Sequence, residues 1–235
     1  MSVKVFVKYD LRATDFGPAP ERIYEACLEQ CEWADQHGFT GVRLHEHHRS
    51  PDGYLPAPVV MAAAIAGRTR QLTLRCSVIV LPLHDPIELA EQLAVLDLAS
   101  RGRLEVVVAA GYVPQEFAMF GKDVADRVTL LERNVAALRQ AWSGEEFEFE
   151  GRPVMVRPLP HRGRTIPILI GGSSPRAARH AARIGDGFEP VPRKFLADYV
   201  AECERLGKPL GGTPALGTSC GCCMLRRIRI GRGDR

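Results

Sequence analysis

The chain predicts a parallel α/β domain, and three observations carry that prediction. Strand-like and helix-like stretches alternate about six times between residues 3 and 207 with no linker between them. Of the strand stretches, residues 72–81 (LTLRCSVIVL) are strongly apolar, and 104–110 (LEVVVAA) read as an uninterrupted strand of the kind buried on both faces. Gly38, Gly102, Gly185 and Gly207 each punctuate the end of a helical pattern. Taken alone, the alternation fits either a barrel or an open doubly wound sheet.

Residues 3–9 alternate and are rich in valine and aromatics, which predicts the first strand. A helix follows from Pro20, where Ile23, Ala26, Cys27, Cys31 and Ala34 form one apolar stripe before the left-handed cap at Gly38. Residues 41–45 form a second strand too short for anything but a buried position, and its carboxyl end opens into a polar loop holding Glu46, His47 and His48. Pro58 opens a helix of small side chains suited to close packing, and the third strand is 72–81. Asp85 and Glu88 have the spacing of a reciprocal helix cap, and Leu89, Leu93 and Leu96 make the stripe behind it. After the fourth strand at 104–110, Val128, Leu131, Val135, Leu138 and Trp142 keep helical spacing up to Ser143-Gly144. Residues 147–156 alternate about a Glu-Gly turn and predict a small inserted hairpin. The fifth strand, 166–170, runs into Gly171-Gly172-Ser173-Ser174-Pro175 and an alanine-rich helix. The sixth, 187–191, is followed by a helix carrying Phe195, Tyr199, Cys203 and Leu206. From Lys208 the periodicity fails, so the expected division is a domain at 1–207 and an irregular tail, read as nonnative, at 208–235.

With 46% hydrophobic and 25% charged residues in 235, the chain is long and apolar enough for one sizeable core. The net charge of +3 is close to balance and its basic excess lies in the last ten residues, which argues against a nucleic-acid partner. No apolar run reaches the roughly twenty residues a membrane helix needs, and the chain enters a strand directly, so the expectation is a cytoplasmic protein with no membrane partner. Cys27, Cys31, Cys76 and Cys203 read as reduced core thiols, and Cys220, Cys222 and Cys223 form a lone C-x-C-C, a poor zinc site, so no metal is expected.

Two stretches carry chemistry. An imidazole in the loop after the second strand, such as His47, can donate a hydrogen bond or accept a proton near neutrality. The bland alternative is a surface or satisfied strand-end histidine. The 171–175 loop lets the backbone approach a ligand through two glycines, offers the Ser173 and Ser174 hydroxyls, and presents the amides of a helix start to an anion. Ser174 also suits the helix cap itself.

These pieces belong to a longer ordered series: Glu46-His47-His48, Pro56-Ala57-Pro58, Val80-Leu81-Pro82-Leu83-His84-Asp85-Pro86, Arg101-Gly102-Arg103-Leu104-Glu105, Gly111-Tyr112 with Glu116-Phe117 and Phe120-Gly121, the 171–175 loop, and Gly185-Asp186-Gly187-Phe188. In that order, over about four fifths of the chain, the sequence resembles the bacterial luciferase-like flavin-dependent monooxygenase family. The resemblance implies a TIM-type (β/α) barrel binding reduced FMN supplied by a separate flavin reductase, with O2 and a small organic substrate as reactants and a homodimer as the assembly. It implies that His47 lies beside the reactive flavin with Glu46 adjacent, and that Ser77 and Val78 form a non-prolyl cis peptide supporting the flavin ring. Gly111, Tyr112, Arg127, Gly171, Gly172, Ser173 and Ser174 are the other cofactor-binding positions it implies. An arginine often precedes the glycine matching Gly111; Ala110 stands there, leaving Arg127 to supply the charge. About six of the eight barrel units are countable, so the expected barrel is incomplete, with two exposed edges and an altered ending after Gly207. The competing expectations are a deazaflavin-dependent hydride-transfer oxidoreductase, an inactive flavin-binding remnant, and a metal-dependent hydrolase on the same barrel.

Overall fold

The computed structural model describes residues 4–163 and 165–210. In chain order it consists of β1 (Phe6–Tyr9), α1 (Pro20–Gln36), β2 (Gly41–Leu44), α2 (Pro58–Arg68), β3 (Thr73–Val80), α3 (Pro86–Ala99), β4 (Leu104–Ala109), α4 (Pro114–Met119) and α5 (Arg127–Ala141). The hairpin β5 (Phe147–Phe149) and β6 (Arg152–Val154) follows, then β7 (Ile168–Gly172), α6 (Pro175–Ile184), β8 (Gly187–Pro190) and α7 (Leu196–Arg205). Six strands make one sheet in the order β1-β2-β3-β4-β7-β8, every neighbouring pair parallel. The order never reverses, whereas a doubly wound sheet needs a point of reversal.

The curvature of the sheet is visible in a single ion pair. Arg43 on β2 bonds Glu189 on β8, four strand spacings away along the sheet. In a flat sheet those strands would stand about 19 Å apart. The sheet is therefore rolled around a lumen, although β1 and β8 do not pair with each other among the described residues.

The two faces differ in kind. Val42, Leu44, Leu74, Cys76, Val106, Val108, Ile168, Ile170 and Phe188 are sealed against helix residues such as Ile65, Leu89 and Leu93, in the one large core. On the lumen side, Lys8, Arg43, Arg75 and Glu105 are successive partners across β1 to β4. Arg75 pairs with both Glu105 and Glu189, and Ser77 donates to Glu189 at 2.9 Å. A buried charge is tolerable when paired in this way.

Several local expectations hold. Gly38, Gly144 and Gly207 take left-handed φ of 77°, 87° and 63° just past helix ends, and the hairpin turns on Glu150 and Gly151, both left-handed. Cys27, Cys31, Cys76 and Cys203 are free and buried. Others need correction. Asp85 caps α3 through the Ile87 and Glu88 amides, but the Glu88 carboxylate accepts from Gln92 rather than reaching back. The fifth strand starts and ends two residues later than its pattern implied, and α4 is a short helix that the apolar spacing did not announce. Lys208, placed in the expected tail, packs on the domain, its ammonium donating to the Ala182 and Arg183 carbonyls. Cys220, Cys222 and Cys223 lie outside the described residues. No helix among the described residues is long and apolar enough to cross a membrane.

Candidate active site at the carboxyl ends of the strands

Because the six strands are parallel, the loops after β2, β3, β4 and β7 all open at one mouth. His47 and the 171–174 loop are thus on the same side of the molecule, three strand spacings apart, or about 14 Å.

The β2 loop is held by two buried carboxylates. Glu116 of α4 accepts from His47 Nδ1 at 2.8 Å and from the His48 amide at 3.0 Å through the same oxygen. With a carboxylate opposite, His47 Nδ1 carries the proton, and Nε2 is left to exchange one. The rings of Tyr54 and Tyr112 stand edge-on to the imidazole at 4.8 and 6.1 Å. Tyr112 is 74% exposed, so this aromatic wall borders solvent.

Glu46 is only 2% exposed and faces away from that opening. Its Oε1 accepts from His48 Nε2 at 2.7 Å and His84 Nε2 at 2.9 Å, and its Oε2 from the Val80 amide at 3.1 Å. Burial pushes this carboxyl up, but the hydrogen bonds and charges of His48 and His84 outweigh it and hold it below the usual carboxylate value. Glu46 therefore ties the β2 loop to the end of β3, and it is His47 that meets the opening.

Around the rest of the mouth the backbone comes close. The Ser77–Val78 peptide is cis, as the resemblance implied. A Cβ on Gly171 would fall 2.7 Å from Val78 Cγ1, and one on Gly172 would fall 2.6 Å from Ala177 Cβ, so β7 approaches β3 and α6 more closely than another residue allows. Gly111, at φ 75°, lies against Val80 and Phe117 in the same way. Ser174 caps α6, accepting from the Ala177 amide at 3.1 Å. Pro175 has no N–H, which leaves the Arg176 amide as the open first-turn donor beside Ser173. Ser77, Val78, Gly111, Tyr112 and the 171–174 residues thus gather at one mouth with His47. Arg127 is held back to the Val124 carbonyl at 2.9 Å, and no hydrogen bond or ion pair among the described residues joins it to the others.

Sequence reasoning quoted Glu116 and His84 in its motif series without giving them a role, and passed over Arg43 and Glu189. Pro114 and the first-turn acid at 116 are a readable helix start, but nothing local says that this acid meets a histidine so far back in the chain. Among the described residues no group of three or more His, Cys, Asp or Glu side chains is placed to hold a metal ion.

The model of the luciferase-like monooxygenase family matches residues 1–224. The chain belongs to that family. The oxygenase component of the flavin-dependent trigonelline monooxygenase of Acinetobacter baylyi is 24% identical over 200 residues, 79% of this chain and 55% of that protein. The F420-dependent glucose-6-phosphate dehydrogenase of Rhodococcus erythropolis is 27% identical over 212 residues, 85% of this chain and 60% of that one. Among solved structures, the monooxygenase RslO1 from Streptomyces bottropensis superposes with a TM-score of 0.78 at 29% identity, covering 88% of this chain and 67% of its own. This luciferase-like chain thus spans little more than half the length of the curated relatives it matches.

Proposed function

We propose that the protein is a flavin-dependent monooxygenase, using reduced FMN and O2 to oxidise a small organic substrate, with a separate reductase supplying the flavin. The observation that carries this is the His47–Glu116 pair at the same mouth as a glycine-serine turn that leads into a helix. The turn suits a phosphate, since Gly171 and Gly172 are places where a side chain would fill the approach and Ser174 already organises the helix start. Among the described residues Glu116 Oε2 and His45 Nδ1 are buried without partners at this mouth, as expected where a further polar group belongs.

FMN would be held by Gly171, Gly172, Ser173, Ser174 and the Arg176 amide at its phosphate, with Arg127 swinging from Val124 as the added cation. Ser77, Val78, Gly111 and Tyr112 would border the ring. Bound reduced flavin supplies the electrons with which O2 is divided between the substrate and water. This chain's own part is proton handling and exclusion of solvent. His47 Nε2 gives or takes the proton, Glu116 keeps the other nitrogen protonated and the ring oriented, and Tyr54 and Tyr112 wall the imidazole. Glu46 is a positioning residue, fixing His48 and the loop around His47.

The F420-dependent relative is no more distant than the monooxygenase component, at 27% against 24%, so a deazaflavin hydride transfer on the same barrel is the second reading. One pair of assays separates them. Oxygen uptake above the background of free flavin, with FMN, a flavin reductase and NADH, supports the monooxygenase. F420 reduction or oxidation in the absence of O2, with no enzyme-dependent oxygen uptake, refutes it.

A further inference from the structure

The amino ends of the strands, opposite the mouth that holds His47, carry an open cleft of about 390 Å³ lined by Arg101, Gly102, His161 and Arg162. The six residues of β4 separate the two ends by about 20 Å. One wall is the turn between α3 and β4, where Arg101 and Gly102 take left-handed φ of 57° and 81°. The other is the loop before β7, where Arg162 takes 59°. A left-handed arginine is uncommon, and here one stands on each wall. The His161 amide ties the loop to α3 by donating to buried Asp97 at 3.0 Å, so the cleft lies between two anchored turns.

The cations here outnumber the carboxylates. Residues 69–72, 100–103 and 155–167 hold six arginines, Arg70, Arg101, Arg103, Arg157, Arg162 and Arg164, and no Asp or Glu. Four carboxylates stand against them. Asp35 accepts from the Arg70, Gln71 and Leu72 amides, Asp97 accepts from His161, and Glu145 and Glu146 are exposed at the entry to the hairpin. Asp186 is matched by Arg139 at 2.9 Å. The ends of α2 and α3 add about half a negative charge each, and Arg68 on the last turn of α2 offsets them. Six arginines less four carboxylates leave two positive charges, with His161 neutral.

Some of these arginines are committed to the fold and others are free. Arg103 donates to the Ser100, Leu72, Ala66 and Thr69 carbonyls, and Arg70 shares the last of these at 3.3 Å. Burial lowers Arg103 from its usual value, Asp35 opposes that, and the charges of Arg70 and Arg101 lower it further. Arg157 donates to the Gly144 carbonyl at 2.7 Å. The guanidinium groups of Arg101 and Arg162 are exposed and make no hydrogen bond or ion pair with the described residues. Each offers a planar fork of donors that fits two phosphate oxygens at once.

We infer that this cleft binds a diphosphate group, held by the forks of Arg101 and Arg162 with His161 as a further donor. Two forks lining one cleft suit two linked phosphates better than one. The ligand is free pyrophosphate or the diphosphate of a nucleotide. Because the cleft lies at the far end of the strands from His47, the inference is independent of the monooxygenase reading.

Isothermal titration of the full chain with inorganic pyrophosphate, in phosphate-free buffer, tests it, with inorganic phosphate as the control. Pyrophosphate is expected to bind about tenfold more tightly than phosphate, the worth of one added charge-assisted contact. Arg101→Gln and Arg162→Gln should each weaken pyrophosphate about tenfold with an unchanged thermal midpoint, since neither guanidinium holds the fold together. Ser174→Ala, at the mouth, should leave pyrophosphate binding as it is. ADP identifies the source: binding as tight as pyrophosphate assigns the cleft to a nucleotide, and weaker binding assigns it to free pyrophosphate. Pyrophosphate no tighter than phosphate overturns the site, as does an affinity that survives both arginine changes or is lost in Ser174→Ala.

Discussion

Replacing Glu46 with glutamine tests how the loop that presents His47 is held. The native carboxylate accepts through one oxygen from two imidazoles and through the other from the Val80 amide. A glutamine cannot reproduce this. With its oxygen toward His48 and His84, its NH2 confronts the Val80 N–H. Turned over, the NH2 confronts both Nε2 atoms, which must then surrender their protons to Nδ1. Exchanging two charge-assisted bonds for neutral ones costs about 1 kcal/mol each, and an imperfect third contact brings the total to about 2–3 kcal/mol. Urea unfolding at pH 7, followed by circular dichroism, should show a midpoint about 1 M lower with an unchanged slope. The pH dependence follows from the direction of the shift. Glu46 lies below its unfolded value of 4.5 in the fold, so its stabilisation is complete above that value and is lost as the pH falls through the folded one. Glutamine carries no such loss, so the gap between native and variant proteins should close in strong acid, as Glu46 takes up its proton. Equal midpoints at pH 7, or a gap that persists undiminished in strong acid, would refute the account of Glu46 as a buried acceptor.

Three further changes probe the rest of the mouth. His47→Ala should lower enzyme-dependent oxygen uptake by about 10²–10⁴-fold, the range for loss of a general acid or base, and should cost about 1–3 kcal/mol in thermal unfolding because buried Glu116 loses a donor. Ser174→Ala removes the acceptor for the Ala177 amide and should cost about 1 kcal/mol in thermal unfolding while weakening FMN in equilibrium fluorescence titration. Gly171→Ala drives a methyl to 2.7 Å from Val78 Cγ1 and should destabilise by about 1–3 kcal/mol, again with weakened FMN.

The units of the fold were legible because each element is written locally. Proline opens α1, α2 and α3, Gly38 and Gly207 close α1 and α7, and the apolar runs of β3 and β4 mark strands covered on a face. The two loops at the mouth were legible for the same reason, since His47 follows a strand and Ser174 begins a helix. What stayed hidden depends on closure. Glu116 is an ordinary first-turn acid until the chain folds it against His47, and Glu189 is an isolated charge in a short apolar strand until β8 comes round to β2.

That difference also says why the lumen wall matters more than its modest sequence signal. The helix-facing side of the sheet is specified by many apolar residues, any one of which can be exchanged for a neighbour in size at modest cost. The lumen side is specified by a few charges whose partners lie on other strands: Arg43 needs Glu189 from β8, Arg75 needs Glu105 from β4, and Ser77 needs Glu189 again. Glu189 therefore joins the strand that carries the histidine loop to the strand that carries the cis peptide, and does so from the far end of the sheet. An apolar substitution there leaves the part-buried Arg43 without its partner, a loss of about 1–3 kcal/mol. It would also slacken the rolled sheet that brings His47 and the 171–174 loop to one mouth. Loss of FMN binding on Glu189→Leu, a change that keeps the backbone pairing to Gly171 but removes the carboxylate reaching β2 and β3, is the result this coupling requires; retention of FMN binding in a stably folded variant would mean the mouth is shaped by the helix-side core alone.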